Sequence, residues 1–192
     1  MMTPQDNRDK IMRAAHEAFI TEGYRCSIDK IAQLAGVAKQ TVYNHFATKE
    51  ALFDEVTRRN VSMFTVPLAG SAEQPREALI EFARAFRKCV LGEECMAGMR
   101  IIVAEAVRFP EMAARTYRLG PEETMQRLTE YLGKAMSLGA LRKEDPRFAA
   151  DMLVGMLIGT ERTALLFGEQ PEKYDEDTRI AAIIDCFLRA FA

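Results

Sequence analysis

Apolar residues recur along most of the chain at intervals of three and four positions, and no stretch alternates convincingly between apolar and polar residues. Such spacing puts apolar side chains on one face of a helix, whereas alternation indicates a strand. The first apolar face belongs to a helix that starts at Thr3-Pro4, a cap followed by proline, and ends at Gly23. It consists of Ile11, Ala14, Ala15, Ala18 and Phe19. We therefore predict an all-α protein.

Two short helices follow. Ser27 is a suitable N-cap for a helix that ends before Gly36, and the next helix covers about residues 39–46. Gly36 can adopt the positive φ that a sharp turn requires. Two short helices joined by a glycine turn and packed by a preceding helix form a helix-turn-helix, whose second helix enters the DNA major groove. The sequence predicts this motif at about residues 28–47, with Thr48 capping the helix that follows.

The polar, small-residue stretch after Pro67 is typical of a loop and divides the chain. We place an N-terminal helix-turn-helix domain at residues 5–66 and a larger helical domain at residues 67–192. The helices expected in the larger domain cover residues 75–90, 97–109, 121–138, 146–167 and 175–191.

Net charge at first argues against a nucleic-acid partner, because 26 Lys and Arg stand against 28 Asp and Glu, a formal charge of -2. A local count changes that conclusion. Residues 1–60 hold nine basic and eight acidic residues, and the 20 residues between Asp29 and Glu50 include three lysines and no acid. Acids are therefore missing where a phosphate backbone would approach.

The second short helix has the chemistry of a DNA-recognition helix. Lys39, Gln40 and Thr41 lie at the end that points into the groove, where glutamine can pair with adenine and threonine offers a hydroxyl or a methyl group. We take these three as base-reading candidates. Polar side chains near these three residues can bind phosphates without reading the base sequence. The phosphate-binding candidates are Ser27, Tyr43, Asn44, His45 and Lys49.

Other interpretations of these residues stay open. Tyr43 could be a half-buried core aromatic and the lysines ordinary solvated charge. A helical protein-interaction module without DNA binding has the same pattern. An enzyme has no support, because no nucleophile has an evident base and there is no phosphate loop.

The four cysteines show no zinc spacing, so we expect neither a metal nor a cofactor. Cys89 and Cys95 lie close enough in sequence for a redox pair, although burial as apolar residues is the simpler interpretation. No signal peptide and no bilayer-length apolar run is present, which predicts a cytoplasmic protein without a membrane partner.

The stretch from Ser27 to Leu52, SIDKIAQLAGVAKQTVYNHFATKEAL, resembles the N-terminal domain of TetR-family transcriptional regulators. Residues 99–117 and 138–159 are similar to the ligand-binding part of the subgroup with an AefR-like C-terminal domain. The resemblance implies a homodimeric, ligand-gated regulator that binds palindromic double-stranded operator DNA, most commonly as a repressor and alternatively as an activator. The chain departs from many relatives at Ala38, where they have Ser or Thr, and at Gln40, where they have Gly or Ala.

The resemblance also implies an effector pocket and a dimer interface in residues 67–192. The expected helix 146–167 is apolar around its circumference, and its two glycines leave a flat stripe for close approach, although a monomer core is the alternative. The dimer candidates are Gly155, Gly159, Ile184, Phe187 and Leu188. For an apolar or amphipathic effector, the binding candidates are Phe82, Phe86, Met99, Ile102, Glu105, Met125, Met152 and Met156.

Overall fold

The computed structural model describes residues 4–192, so the predicted cap at Thr3 lies outside the described residues. The chain is 79% helical, and residues 4–192 contain no strand, which confirms the all-α prediction. The eleven α-helices of this range are α1 (Pro4–Glu22), α2 (Ile28–Ala35), α3 (Lys39–His45), α4 (Lys49–Thr65), α5 (Pro75–Val90), α6 (Glu93–Glu105), α7 (Pro110–Tyr117), α8 (Glu123–Ser137), α9 (Pro146–Ile158), α10 (Glu161–Leu166) and α11 (Glu176–Ala190).

Two compact units divide the chain. Unit 1 comprises Met1–Asn60 and Ala97–Leu119, and unit 2 comprises Val61–Met96 and Gly120–Ala192. The two units do not coincide with the predicted domains 5–66 and 67–192, because the stretch 97–119 packs with the N-terminal residues. The assignment of functions to residues 5–66 and 67–192 stays a prediction.

Unit 1 has a small apolar core beneath the helix-turn-helix. Helix α1 packs against α2 and α3, and Ile11, Ile31 and Leu52 are fully buried there. The Phe53 ring lies 5.0 Å from Phe19 and 5.3 Å from Tyr24, both edge to face. Aromatic packing of this kind stabilises beyond the area it buries.

The segment 97–119 is joined to the rest of unit 1 by charged side chains. Arg115 on α7 makes a bidentate ion pair with Asp54 on α4, at 2.5 and 2.6 Å. Arg25, in the 3₁₀ turn Gly23–Arg25 after α1, pairs with Glu105 on α6 at 2.5 Å. A paired guanidinium and carboxylate give directional contacts.

Unit 2 has the larger core. Helix α8 packs along α9, and α5 packs along α11. Fully buried side chains fill the space between them, among them Phe82, Leu132, Leu157 and Phe187. Within residues 4–192, no helix is both long and apolar enough to cross a membrane.

Two of the predicted helices are wrong in their extent. The expected helix 146–167 is interrupted at Gly159, whose φ of 45° ends α9 before α10 begins. This backbone conformation is one that glycine adopts without strain. The expected helix 97–109 instead spans Glu93–Glu105, and Pro110 opens a helix that the apolar pattern did not predict.

Candidate DNA-binding surface

The helix-turn-helix forms through the predicted local signals. The Ser27 hydroxyl accepts a hydrogen bond from the Lys30 amide at 3.1 Å, which caps α2. Gly36 ends α2 with a φ of 67°, and the Val37 amide donates to the Ala32 carbonyl at 3.0 Å. This glycine-based cap lets the chain leave α2 sharply, and α3 begins after only three intervening residues.

Helix α3 has one buried and one exposed side. Val42 is fully buried, and Phe46 follows it in the same core. Four polar side chains are exposed on the other side, and two more are half-buried. The exposed four are Lys39, Gln40, Tyr43 and Asn44, and the half-buried two are Thr41 and His45. The structure therefore brings six of the eight predicted DNA-contacting residues onto one short helix.

Contacts within α3 and at its start order this surface. The Gln40 amide donates to the Asn44 side-chain oxygen at 3.2 Å, one turn further on. Ala38 is the N-cap and makes no side-chain hydrogen bond, as expected for alanine. Gln40 and Asn44 are thus held as a pair of amides on the exposed side.

The two acids that flank the acid-free window both have partners. The Lys39 ammonium lies 2.9 Å from the Asp29 carboxylate, and this hydrogen bond and charge raise the pKa of Lys39. The Tyr24 hydroxyl donates to Glu50 at 2.5 Å, and this bond lowers the pKa of Glu50. Sequence reasoning missed both contacts, because each joins residues on different elements.

Lys49 is held by Tyr24. Its ammonium donates to the Tyr24 carbonyl oxygen and lies 4.3 Å from the centre of the Tyr24 ring. A cation over an aromatic face is attracted by the ring quadrupole. Lys49, predicted as a phosphate clamp, is therefore half-buried and engaged within unit 1.

Charge is distributed unequally between the units. Unit 1 has 13 Lys and Arg against 10 Asp and Glu, a net charge of +3, whereas unit 2 has 13 against 18, a net charge of -5. The stretch 97–119 contributes four arginines and two acids to unit 1. The unit that contains the helix-turn-helix is thus basic, although the whole chain is acidic.

The predicted effector residues do not form one group. Phe82, Phe86 and Met125 are buried in the core of unit 2. Met152 is exposed and Met156 half-buried on α9. Half-buried Met99, Ile102 and Glu105 belong to unit 1. The three buried side chains pack in the core, and the assignment of all eight residues to an effector site stays a prediction.

The predicted dimer residues also differ in their burial. Ile184 and Phe187 are fully buried in the core of unit 2, and their assignment to a dimer interface stays a prediction. Gly155 on α9 and Gly159 at the C-cap of α9 are exposed, and a Cβ at either glycine would meet no atom within 4 Å. Leu188 is half-buried.

Cys89 and Cys95 are both partly buried in unit 2. Burial raises the pKa of the Cys89 thiol to about 11 and raises that of Cys95 as well. Since the thiolate is the reactive form, both thiols are poor nucleophiles at neutral pH.

The motif and its exposed polar helix define a helix-turn-helix DNA-binding protein. Two family models match the chain: that of the bacterial regulatory proteins of the tetR family at residues 11–56, and that of the AefR-like transcriptional repressor C-terminal domain at residues 77–192. The chain belongs to the TetR family of transcriptional regulators, which are DNA-binding proteins rather than enzymes.

Relatives cover the chain from end to end. The structure of the flavonoid-responsive regulator FrrA is 32% identical, covers 96% of both chains and gives a TM-score of 0.67. A TetR-family regulator from Mesorhizobium loti is 28% identical over 100% of both chains, with a TM-score of 0.74. The uncharacterised HTH-type transcriptional regulator YhgD of Bacillus subtilis is 23% identical over 95% of both chains.

Proposed function

We propose that the protein is a homodimeric repressor that holds a palindromic operator through α3 and releases it when a small molecule binds. The observation that carries the proposal is the exposed polar side of α3, set on a basic unit. Lys39, Gln40 and Thr41 read base edges in the major groove. Ser27, Tyr43, Asn44, His45 and Lys49 hold phosphates and fix the register.

A dimer is needed for tight binding, because one α3 contacts few base pairs. Two recognition helices about 34 Å apart reach successive major grooves of a palindrome. The exposed side of α9 supports self-association, since Phe148, Met152 and Gly155 lie there at intervals of four and three residues. A stripe of this kind can pack on its own symmetry mate.

Control by a small apolar or amphipathic molecule is supported by the relatives. FrrA is described as flavonoid-responsive, and the matching C-terminal model is that of a repressor. An effector that binds the DNA-free form more tightly must lower the affinity for DNA by linkage. Because a bacterial chromosome lies in the cytoplasm, we place the protein there.

The test is DNA binding by fluorescence anisotropy, with duplex DNA from the region upstream of the protein's own gene. Tyr43→Ala removes an exposed hydroxyl from α3 without touching the core. We expect at least tenfold weaker binding, corresponding to about 1.5 kcal/mol for a hydrogen bond to a charged phosphate. The matched control is Tyr117→Ala, which removes an exposed tyrosine from α7.

Salt dependence separates the proposal from a protein-interaction module. Neutralised phosphates release counterions, so affinity must fall steeply as the salt concentration rises. Equal affinities of Tyr43→Ala and the control would show that α3 is not the DNA-contacting surface. An increase in transcription of the regulated gene on adding protein would instead favour an activator.

A further inference from the structure

The three proposed base-reading residues of α3 are not equally available to DNA. The Lys39 ammonium lies 2.9 Å from the Asp29 carboxylate, so part of its hydrogen-bonding capacity is already used within unit 1. Thr41 is half-buried. Gln40 is exposed and uncharged, and it lies near the start of α3, the end of a recognition helix that contacts base edges. Of the three, Gln40 is therefore the side chain best placed to discriminate between bases.

A hydrogen bond to Asn44 orients the side-chain amide of Gln40. Nε2 of Gln40 donates to Oδ1 of Asn44 at 3.2 Å. The two residues are four positions apart on α3, a spacing at which helical side chains are neighbours and amide pairs stabilise the helix. Because this bond fixes a flexible side chain before DNA binds, less conformational entropy is lost when Gln40 contacts a base.

The same bond determines which hydrogen-bonding groups Gln40 still offers. A side-chain amide has two N–H donors and one carbonyl oxygen. Asn44 accepts one of the two N–H groups. Gln40 therefore presents its second N–H donor beside the acceptor Oε1.

One donor beside one acceptor allows a two-bond contact with adenine alone. In the major groove adenine exposes the N7 acceptor next to the N6 amino donor. The second N–H of Gln40 can donate to N7 while Oε1 accepts from N6. Guanine exposes two acceptors, N7 and O6, so its O6 would face Oε1 with no proton between the two oxygens. Thymine and cytosine each expose only one polar group there.

We infer that Gln40 reads an adenine in each half-site of the operator, and that Asn44 is the positioning residue that makes this contact selective. Without the bond to Asn44, both N–H groups of Gln40 would be free to turn toward the two acceptors of guanine. The bond removes that alternative. Nδ2 of Asn44 keeps its own two donors, so the same residue can also bind a phosphate.

The inference deepens the proposed function and rests on it, because Gln40 can reach a base edge only if α3 enters the major groove. It adds the identity of the base and the atoms that recognise it. The experiment must therefore measure base preference separately from DNA binding.

Binding-site selection from a random duplex library, with the full wild-type chain, gives the half-site. We expect one A·T position in each half-site at which replacement by G·C weakens binding about tenfold in fluorescence anisotropy. Replacing that adenine with 7-deazaadenine, which still pairs with thymine but lacks the N7 acceptor, should weaken binding about fivefold.

Two variants assign this preference to the amide pair. Gln40→Ala should bind the adenine and 7-deazaadenine duplexes equally and lose the preference for A·T over G·C at this position. Asn44→Ala should lower that preference from about tenfold to about twofold. The readout for Asn44→Ala is the ratio of the two affinities, because loss of a phosphate contact weakens binding to all sequences alike.

The matched control is Gln126→Ala on α8. Gln126 is an exposed glutamine whose amide donates to Glu130, four residues further on, at 3.2 Å. Its replacement removes the same kind of side chain and the same kind of helical hydrogen bond from unit 2. This variant should keep the wild-type preference at every position.

The outcomes separate this inference from the proposed function. Unchanged base preferences in Gln40→Ala, with the half-site still bound, would overturn the inference and leave the repressor proposal standing. A wild-type preference for guanine that Gln40→Ala loses would overturn the assignment of adenine. A full preference for A·T in Asn44→Ala would overturn the role of the amide pair. Absence of any salt-dependent binding to duplex DNA would instead overturn the proposed function, and the inference with it.

Discussion

At the scale of single residues, Asp29 controls how a proposed base-reading side chain is presented. Its carboxylate on α2 accepts a hydrogen bond from the exposed Lys39 ammonium on α3. The pair can aim Lys39, but it also puts a negative charge beside the surface that would face phosphates. DNA must compete with Asp29 for the same ammonium.

Asp29→Asn should therefore strengthen binding to duplex DNA of unrelated sequence. The substitution frees the Lys39 ammonium and removes one repulsive charge, so we expect about two- to fivefold tighter binding at low salt, with the gain shrinking as salt rises. Fluorescence anisotropy across a salt series measures both effects.

Glu17→Gln is the matched control, since it removes an exposed carboxylate from α1 and changes the net charge equally. A gain as large in this variant would mean that total charge, rather than the Asp29–Lys39 pair, sets the affinity.

At the scale of elements, one buried arginine connects four helices of unit 2: α5, α9, α10 and α11. Arg87 on α5 is 2% exposed and pairs with Glu161 on α10 at 2.8 Å and Glu176 on α11 at 2.6 Å. It also donates to the Leu157 carbonyl and, at 2.5 Å, to the Tyr174 hydroxyl. A buried charge needs several partners of this kind.

This network makes the stability of unit 2 depend on pH in the acidic range. Desolvation raises the pKa of Glu161, but hydrogen bonds from Tyr174 and Arg87 outweigh it, and the net pKa lies below the ordinary carboxyl value. A carboxyl with a lowered folded-state pKa stabilises the fold above its unfolded pKa, about 4.3 for glutamate. That contribution is lost as the pH falls through the folded-state value.

Glu161→Gln should lower the free energy of unfolding by about 1–3 kcal/mol at pH 7, because Arg87 then loses a charged partner in a buried site. The variant should also lose less stability than the wild type on acidification below the ordinary glutamate pKa. Denaturant unfolding at several pH values measures both. Glu81→Gln, an exposed carboxylate on α5, should unfold as the wild type does at every pH. Parallel curves for the wild type and Glu161→Gln would contradict this role.

Helix starts were predictable because capping is local chemistry. Ser27, Asp145 and Asp175 cap α2, α9 and α11 through bonds to amides two or three residues ahead. The break at Gly159 was not predicted, because apolar residues resume at residues 164–167 after four polar positions, and glycine is compatible with either outcome. Helix α7 was missed because it spans only eight residues, too few to show the apolar repeat of a helix, and none of its residues is buried.

The features that the sequence did not predict depend on contacts between elements. The polar face of α3 follows from residue types and helical spacing alone, whereas the Asp29–Lys39 pair depends on the angle between α2 and α3. Ile184, assigned to a dimer interface, is fully buried in the core of unit 2, and the interface assignment stays a prediction. An apolar residue on a helix gives the same pattern in a core and in an interface, and geometry alone distinguishes them.

At the scale of the whole molecule, the weak net charge makes it important that two DNA-binding domains act together in a dimer. A chain of net charge -2 gains little from long-range attraction to DNA, even though unit 1 is basic. Linking two weakly binding domains can raise the affinity for DNA 10²–10⁴-fold without new contacts. Operator affinity should therefore depend strongly on the dimer.

Met152→Glu tests this dependence together with the location of the interface. Met152 is 45% exposed on α9 beside Gly155, and a carboxylate there would face its own copy across a twofold axis. We expect light scattering after size exclusion to show a monomer at micromolar concentration. We also expect operator affinity to fall at least 100-fold, since avidity is lost.

Met63→Glu is the control, because Met63 is a 71% exposed methionine of unit 2 on α4. The same charge there should leave both the dimer and the operator affinity intact. A dimeric Met152→Glu variant would place the interface elsewhere, and a monomer that still bound the operator tightly would show that each α3 acts alone. The result that links α9 to DNA recognition is a Met152→Glu variant that loses both the dimer and tight operator binding, while Met63→Glu keeps both.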